Sequence, residues 1–331
     1  MRYKEIDVLK GLLVVGMVFA HCLQFFILRS RYDFTAWAIS EFIGLVTFSG
    51  FMFSFGFVCW HAYIKKPFKD AAKSLTVNIF KILAAFYISS FAFRIFIESM
   101  PLNQHRIMEM LFIRRLAGWS EFILSFAGVL LLVLAFHTLM KKAGNKLPYV
   151  IGAIALVACL IPFRVSEPLV ALFVGQADFP VFAVLPYSLY FAGGILFAQK
   201  DLRFNIKCLL ISLAGGAYFV IIYIVSGGMP SRFPLSLAYL VGGMPLVYLY
   251  YLLARWLAKF KLSSVLQTIG ANALFYLLLH NIFIFTIRGV PFFRSTMQFT
   301  VIIFIIIMCM IYYLQKLITP KKPQVTEKEG L

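Results

Sequence analysis

The chain has 331 residues, of which 62% are hydrophobic and 13% are charged, and its formal net charge is +18. With a mean hydropathy of +0.90, this composition excludes an ordinary soluble domain, in which about a quarter of the residues are charged. We therefore predict a polytopic membrane protein.

Apolar runs long enough to cross a membrane recur along nearly the whole chain. A helix needs about 20 residues to cross roughly 30 Å of hydrocarbon, and these runs lack the strict alternation of a β-barrel. We predict an all-α fold with ten transmembrane helices. The predicted spans are residues 8–28, 41–62, 75–97, 119–140, 147–163, 180–199, 206–226, 233–255, 268–288 and 296–316.

The distribution of lysine and arginine predicts the orientation of these helices, because cytoplasmic loops accumulate cations. With the N-terminus inside, nineteen of the 31 lysines and arginines fall in six cytoplasmic segments, whereas ten arginines and no lysine fall on the opposite side. The asymmetry supports ten helices with both termini cytoplasmic. Because the charge is spread over six segments, we interpret it as topology and attraction to anionic membrane lipids, and we expect no nucleic-acid partner.

Two connecting segments are distinct from the spans. Residues 1–318 are predicted to form one transmembrane domain, followed by a polar, disordered cytoplasmic tail at 319–331. The external connection 98–118 alternates apolar and cationic residues, as does a helix lying on the membrane surface. Because long connections in compact proteins often have a function, this one is a candidate lid or substrate loop.

The first predicted helix carries a polar stripe. At 100° per residue, Lys10 and His21 project within about 20° of each other, and Asp7 lies about 40° from His21. The helical rise places His21 about 16 Å beyond Lys10. Ionisable groups at such depth usually face a bundle interior or a watery cavity. We predict a functional role for His21, with a hydrogen bond that merely fixes helix packing as the alternative.

A second histidine lies inside the apolar run 266–285. His280 follows Tyr276 by one turn and precedes Asn281, and a helix starting near 268 would carry it to a depth of about 18 Å, similar to that of His21. Two histidines at one level suggest a single polar cavity, although a packing role for His280 is the alternative. No third ligand with suitable spacing accompanies them, so we predict no metal site.

Four stretches of the sequence together resemble the membrane-embedded acyltransferase family 3. The first helix of that family reads roughly I-D-x-L-R-G/A, with a catalytic histidine ten residues after the arginine; the matching residues here are Ile6, Asp7, Leu9, Gly11 and His21. The other stretches are "FSGFMFSFGFV" (48–58), similar to its F-x-x-S-G-F second helix, "YSLYFAGGILFAQKD" (187–201), similar to its glycine-containing sixth helix, and "IGANALFYLLLHN" (269–281), similar to its G-x-x-S/A-x-x-x-Y-x-x-H motif. The resemblance covers most of the chain.

Two motifs depart from the family pattern at cationic positions. The arginine ten residues before the histidine is Lys10, and the family's Arg-x-x-Arg-Ile reads "NIFKI", with Asn78 and Lys81 at the arginine positions. Arginine binds phosphate bidentately, whereas lysine offers a point charge. The replacements are compatible with a divergent branch of the family or with a loss of activity.

The resemblance implies transfer of an acyl group, commonly acetyl, from cytoplasmic acyl-CoA to a hydroxyl of an extracytoplasmic or lipid-linked glycan, in the plasma or inner membrane. Lys10 and Lys81 would bind the donor, and His21 would act as general base or as nucleophile. An imidazole suits this work because its unperturbed pKa of about 6.5 lies near neutrality. Asp7 would pair with Lys10, its neighbour three residues on.

The remaining candidates would support the substrates. Tyr276, His280 and Asn281 would help to bind the acceptor or the thioester carbonyl. On the outer face Arg114, Arg115 and Glu121 would bind polar groups of the acceptor. Alternatively, Arg114 and Arg115 would anchor a surface helix at the phosphates of the lipid headgroups.

Two other functional classes compete with the acyltransferase. A transporter or flippase for a glycan or lipid-linked substrate would also have many helices with central polar residues, but the sequence shows no matching broken segments in two halves. A catalytically inactive binding protein is the third interpretation, and the residues at positions 10 and 78 motivate it.

Overall fold

The computed structural model describes residues 3–27, 33–101, 103–114, 117–161, 165, 167–175, 181–290 and 295–318. Every regular element within these ranges is helical, apart from an isolated bridge between Ile27 and Ser295, so the predicted all-α fold is confirmed for this part of the chain. The predicted tail at 319–331 lies outside the described residues.

Fourteen α-helices occupy the described ranges. They are α1 (Lys4–Phe26), α2 (Phe34–Cys59), α3 (Phe68–Phe96), α4 (Gln104–Leu111), α5 (Glu121–Ala143), α6 (Leu147–Leu160), α7 (Pro168–Val174), α8 (Val184–Lys200), α9 (Ile206–Ser226), α10 (Leu237–Gly242), α11 (Met244–Leu257), α12 (Ser264–Ala271), α13 (Ala273–Gly289) and α14 (Met297–Ile318). A π-helical turn, Trp60–Ile64, continues α2.

Seven helical stretches of the described residues are long and apolar enough to cross a membrane, or eight if the bent pair α12–α13 is one span. One of them, Glu121–Leu160, contains 40 residues and would measure about 60 Å as a straight helix, twice the thickness of the hydrocarbon. Gly144 interrupts it with a φ of +53°. The protein is therefore a multi-pass membrane protein, while ten spans with cytoplasmic termini remain a prediction.

Helix α1 lies at the centre of the bundle. It packs against α2, α11, α12, α13 and α14, and buried side chains cover most of its circumference. A helix that is apolar all round is expected to be surrounded by protein or lipid. By contrast, α9 buries a single residue, Ser212, so its apolar side chains face outward, as expected for a helix in contact with lipid.

The segment predicted as one helix at 268–288 is broken instead. Helices α12 and α13 meet at Asn272 with a bend of 73°, and the Asn272 side chain donates a hydrogen bond to the Thr268 carbonyl at 2.9 Å. Asparagine competes with helical hydrogen bonding in this way. His280 is consequently only seven residues, or about 10 Å, from the start of its helix.

Small residues allow α12 to lie against α1. A Cβ added at Gly270 would be 1.8 Å from the Asp7 carbonyl oxygen, and one added at Gly11 would be 2.2 Å from that of Leu266. Small residues at helix interfaces let backbones approach closely in membranes. This contact fixes the break at Asn272, and with it the start of α13, relative to α1.

The connection 98–118, which is predicted to be external, contains helix α4. Asn103 caps this helix, since its side chain accepts a hydrogen bond from the Arg106 amide at 3.0 Å, and the Tyr87 hydroxyl donates to the Leu111 carbonyl at 2.8 Å. The position of α4 at a membrane surface, and its role as a lid or substrate loop, remain predictions.

Candidate functional site

The two histidines of the apolar helices contact each other. Nδ1 of His21 on α1 lies 2.9 Å from Nε2 of His280 on α13. His280 is fully buried, and His21 is half-buried. The polar stripe of α1 and the buried histidine of α13 therefore meet at one point, as the sequence suggests.

The hydrogen bonds of His280 define the tautomers of the pair when both rings are neutral. Nδ1 of His280 lies 2.8 Å from the Tyr276 carbonyl oxygen. Because a carbonyl oxygen only accepts, Nδ1 of His280 carries a hydrogen and its Nε2 presents a lone pair. Nδ1 of His21 must then donate to that lone pair, which leaves Nε2 of His21 as an unprotonated, basic atom.

A chain of polar side chains holds the outer side of this pair. The Asn281 amide donates to the Ser89 hydroxyl at 2.8 Å and to the Trp119 carbonyl at 3.1 Å. The hydroxyls of Ser89 and Ser120 lie 2.7 Å apart. The Asn281 side chain also lies beside the His21 imidazole. Helices α3 and α13 and the residues preceding α5 are thus joined next to the histidines.

Trp119 covers one edge of the His21 ring. The two ring centroids are 5.0 Å apart and perpendicular, and Trp119 also contacts Phe25 edge-on at 4.7 Å. The backbone of Trp119 has a φ of +65°, a conformation that is unfavourable for a bulky side chain. Residues in such conformations cluster at functional sites.

Tyr276 contributes to the pair through its backbone. Its side chain is fully buried, and its hydroxyl donates to Gln315 Oε1 on α14 at 2.9 Å. The ring therefore ties α13 to α14, while its carbonyl oxygen orients His280.

An outer cavity of about 270 Å³ opens beside His21. Its wall combines side chains of α1, α2 and α5 with residues of three connecting segments. The lining residues are Met17, Ala20, His21, Gln24, Ser40, Ile43, Gly44, Thr47, Phe48, Phe51, Gly118, Trp119, Glu121, Phe122, Phe182, Arg232 and Phe233.

Two further cavities lie on the side of Lys10. The middle cavity, of about 350 Å³, is lined by Lys10, Phe51, Tyr63, Asn78 and Lys81 among others. The inner cavity, of about 880 Å³, is lined by Tyr3, Asp7, Lys10, His61, Val58, Lys65, Lys66 and residues of the α12–α13 break.

The three cavities adjoin in series. Phe51 lines both the outer and the middle cavity, while Lys10 and Val58 line both the middle and the inner cavity. Phe51 is 5% exposed, so its buried ring lies at the junction of the outer and middle cavities.

Lys10, Asn78 and Lys81 line the middle cavity and have different contacts. Lys10 Nζ lies 2.9 Å from Asp7 Oδ1, which is the predicted pair. Asn78 donates to the Tyr63 hydroxyl at 2.7 Å. Lys81 is exposed and reaches the cavity from its rim.

Comparison with protein families gives one decisive match. The model of acyltransferase family 3, described as an acyltransferase domain, matches residues 3–315. The chain belongs to acyltransferase family 3. Comparison with curated proteins and with solved structures gave no match. Membership supports a membrane-embedded transferase of acyl groups.

The motif residues of acyltransferase family 3 fall along the row of cavities. Lys10, Asn78 and Lys81, at the positions of the family's arginines, all line the middle cavity. His21 and His280 of the first and last motifs form the pair. The first and last motifs, separated by more than two hundred residues, thus meet in this member of the family.

The three outer-face candidates have different positions. Glu121, at the start of α5, lines the outer cavity and is 9% exposed. Arg114 is exposed, with its guanidinium 6.0 Å from the centre of the Phe112 ring. Arg115 lies outside the described residues.

Gln24, Trp119 and Arg232 line the outer cavity but are absent from the sequence-based prediction of the site. Gln24 lies three residues after His21 on the same face of α1, so its polar side chain in an apolar run was a usable signal. In the sequence, Trp119 lies where an interfacial aromatic belt is expected, so its position alone does not indicate a functional role. Arg232 belongs to a connection, and its approach to the cavity depends on tertiary structure alone.

Two other histidines have structural contacts. His61 Nδ1 lies 3.2 Å from the Tyr3 hydroxyl at the wall of the inner cavity. His137 is buried and its Nε2 donates to the Tyr63 carbonyl at 3.1 Å, which supports the π-helical turn. Within the described ranges, no group of three or more His, Cys, Asp or Glu side chains is placed to hold a metal ion.

Proposed function

We propose that this protein transfers an acyl group, with acetyl as the expected case, from cytoplasmic acyl-CoA to a hydroxyl of an extracytoplasmic or lipid-linked glycan, and that Nε2 of His21 is the reacting base. The observation that carries the proposal is the series of three cavities that ends at the histidine pair. Family membership supports the reaction class.

The donor would bind from the lysine-lined side. Lys65 and Lys66 border the inner cavity, and Lys10 borders both the inner and the middle cavity. Clustered cations attract a polyanionic ligand and pair with its phosphates. The pantetheine arm would then extend past Lys10 along α1 and bring the thioester to the Phe51 junction.

The acceptor hydroxyl would approach His21 from the outer cavity. As general base, Nε2 of His21 takes the hydroxyl proton while the oxygen attacks the thioester carbonyl carbon. The tetrahedral intermediate collapses with cleavage of the C–S bond, and the proton passes from His21 to the departing sulfur. The products are an ester on the outer side and free CoA on the inner side.

A covalent route uses the same atom. Nε2 of His21 would attack the thioester and release CoA as its thiolate. The acceptor hydroxyl would then displace the imidazole from the acyl group, and its proton would pass through the freed Nε2 to the thiolate. In both routes His21 becomes cationic or acylated at Nε2, and its Nδ1–H donates to His280 throughout. His280 is therefore a positioning residue in this mechanism.

The topology required by the reaction matches the predicted orientation. Ten spans with both termini inside would place Lys10, Lys65 and Lys66 at the cytoplasm and Glu121 outside. The plasma or inner membrane is the compartment that offers acyl-CoA on one face and envelope glycans on the other.

The test uses the purified full-length protein with radiolabelled acetyl-CoA and a cell-envelope glycan fraction. We expect label to enter the glycan, and His21→Ala to reduce the rate by about 10²- to 10⁴-fold, the usual contribution of a general acid–base group. Tyr313→Ala is the control, because Tyr313 is exposed on α14 and lines none of the three cavities, and it should retain the wild-type rate. Mass spectrometry of the glycan should show one added acyl group.

Omission of the acceptor separates the two routes. Stoichiometric CoA release with label on the protein would demonstrate the covalent route, whereas its absence would favour the general base. Substrate flux that survives His21→Ala would support a transporter, and a protein without measurable affinity for any acyl-CoA would be an inactive relative; either result would refute the proposal.

A further inference from the structure

The outer cavity contains buried polar atoms without hydrogen-bond partners in the described structure. They are the carboxylate oxygen Oε2 of Glu121, the amide oxygen Oε1 of Gln24 and the guanidinium Nε of Arg232, and all three side chains line the cavity wall. Leaving a buried polar group unpaired costs about 1–3 kcal/mol, so a cavity lined by three such groups is suited to a polar ligand.

The charges of the cavity are separated. Arg232 and Glu121 are close enough for their charges to interact, yet they form no ion pair with each other in the described structure. The guanidinium instead lies over the rings of Phe182 and Phe233, at 4.6 and 5.1 Å from their centres. Aromatic faces of this kind hold a guanidinium in place.

The unpaired atoms specify the chemistry of the ligand. Oε1 of Gln24 and Oε2 of Glu121 are unpaired oxygens, and Nε of Arg232 is an unpaired donor. A hydroxyl group both donates and accepts, so adjacent hydroxyls of one sugar can satisfy both walls. A carboxylate or phosphate has no hydrogen to donate, so it would pair with Arg232 but leave Oε1 of Gln24 unpaired.

Resting on the proposed function, we infer that the outer cavity is the acceptor subsite and that it selects an uncharged, hydroxyl-rich sugar unit through Gln24, Glu121 and Arg232. The aromatic residues Trp119, Phe122 and Phe182 line the same space and offer apolar surface to the sugar ring. Within the subsite the acceptor hydroxyl next to His21 is the one acylated.

The experiment supplies full-length protein with acetyl-CoA and a panel of soluble acceptors. The panel contains methyl hexopyranosides of gluco, galacto and manno configuration and the three corresponding uronic acids. We expect at least one uncharged glycoside to accelerate CoA release and the uronic acids to be poorer acceptors by about tenfold or more, since mismatched buried polar groups discriminate strongly.

Two variants test the residues. Arg232→Met should raise the KM for the glycoside about tenfold, the effect of losing one charged hydrogen bond, with acetyl-CoA affinity unchanged. Gly44→Ala guards against misfolding of the first variant, because its Cβ would meet only flexible ends, Arg232 Nη1 at 3.3 Å and the Tyr239 hydroxyl at 3.8 Å. It should also raise the acceptor KM. Arg203→Met is the matched arginine control, because Arg203 is exposed in the connection between α8 and α9 and lines none of the three cavities.

The outcomes separate this inference from the proposed function. If acetyl-CoA binds and His21-dependent transfer to envelope glycans occurs, but uronic acids are the better acceptors, the subsite inference is overturned. The same holds if no uncharged glycoside accelerates CoA release, or if neither variant changes the acceptor KM. If acetyl-CoA does not bind and no His21-dependent transfer occurs, the proposed function itself is overturned.

Discussion

The two ends of the cavity series are built in different ways. The inner end is formed mainly by lysines near the cytoplasmic ends of predicted spans, such as Lys10 and Lys65, and they are at least partly exposed. The outer end is formed by Gln24, Glu121 and Arg232, whose polar atoms are buried and come from three distant segments. Exposed point charges attract any polyanion, whereas buried, oriented groups discriminate between ligands.

In the proposed reaction, this difference implies that the inner end collects the donor and the outer end selects the acceptor. The proposed donor is a polyanion, and long-range attraction suffices to collect it. The inferred acceptor is an uncharged sugar, and its recognition requires an assembled site. Variants at the two ends should therefore have separable effects on donor and acceptor kinetics.

Apart from His21→Ala, the largest effect is expected at the histidine pair. His280→Leu should lower kcat by about 10- to 100-fold, because it removes the acceptor of the His21 Nδ1–H bond and costs about 1–3 kcal/mol. Both KM values should change little. Steady-state kinetics with each substrate varied in turn would measure this.

His280→Gln provides the matched control, since its amide oxygen can still accept from His21. It should recover part of the lost kcat. Equal losses in both variants would show that His280 does not act through that hydrogen bond.

The next largest effect is expected at Gly270, where α12 contacts α1 and thereby positions α13. Gly270→Ala would put a Cβ 1.8 Å from the Asp7 carbonyl oxygen, so α12 must shift away from α1 at a cost of about 1–3 kcal/mol. We expect a lower thermal unfolding temperature and reduced transfer. Gly228→Ala, with no atom within 4 Å of the added Cβ, should leave both unchanged; identical melting curves for all three proteins would contradict the prediction.

A smaller effect is expected at the inner end. Lys10→Met should raise the KM for acetyl-CoA about fivefold, since a partly exposed ion pair contributes about 1 kcal/mol, and should leave the acceptor KM unchanged. The wild-type donor KM should rise with salt, because exposed charges are screened. If the donor KM depended neither on salt nor on Lys10, the proposed difference between the inner and outer ends would be refuted.

The smallest effect is expected for Lys81→Met. Lys81 is exposed at the rim of the middle cavity, so its charge is better screened than that of Lys10, and we expect a two- to threefold rise in donor KM. Lys142, at the end of α5 and also exposed, is the matched lysine for comparison. An effect at position 81 larger than at position 10 would reverse the assigned order.

The parts of the site that follow helical periodicity could be predicted from the sequence. His21, Lys10 and Asp7 share one helix, and rotation and rise relate them directly. The Asp7–Lys10 pair follows from that geometry. The contact of His21 with His280 is expected too, but from a depth calculated for a straight helix, and the bend at Asn272 shows that this calculation is wrong.

The parts that depend on tertiary structure could not. The bend at Asn272 interrupts an apolar run whose periodicity predicts a straight helix. The Asn272 side chain donates to the Thr268 carbonyl at this point, and the close contact of Gly270 with α1 fixes the position of α12. In the sequence, Arg232 lies in the connection between the predicted spans 206–226 and 233–255. Nothing in the sequence distinguishes it from the other arginines that are predicted to lie outside. Its role emerges only when Phe182 and Phe233 orient it over the cavity.

The hydrogen bond from His280 to the Tyr276 carbonyl affects how the proposed reaction would respond to the membrane potential. Because that carbonyl cannot accept and release a proton, the imidazole pair offers no relay beyond His280. In the proposed reaction the hydroxyl proton leaves on the sulfur of CoA, so each turnover would move one acyl cation and one proton in opposite directions, which is electrically neutral. A membrane potential, which adds about 2.3 kcal/mol per net charge at 100 mV, would therefore neither drive nor oppose the reaction.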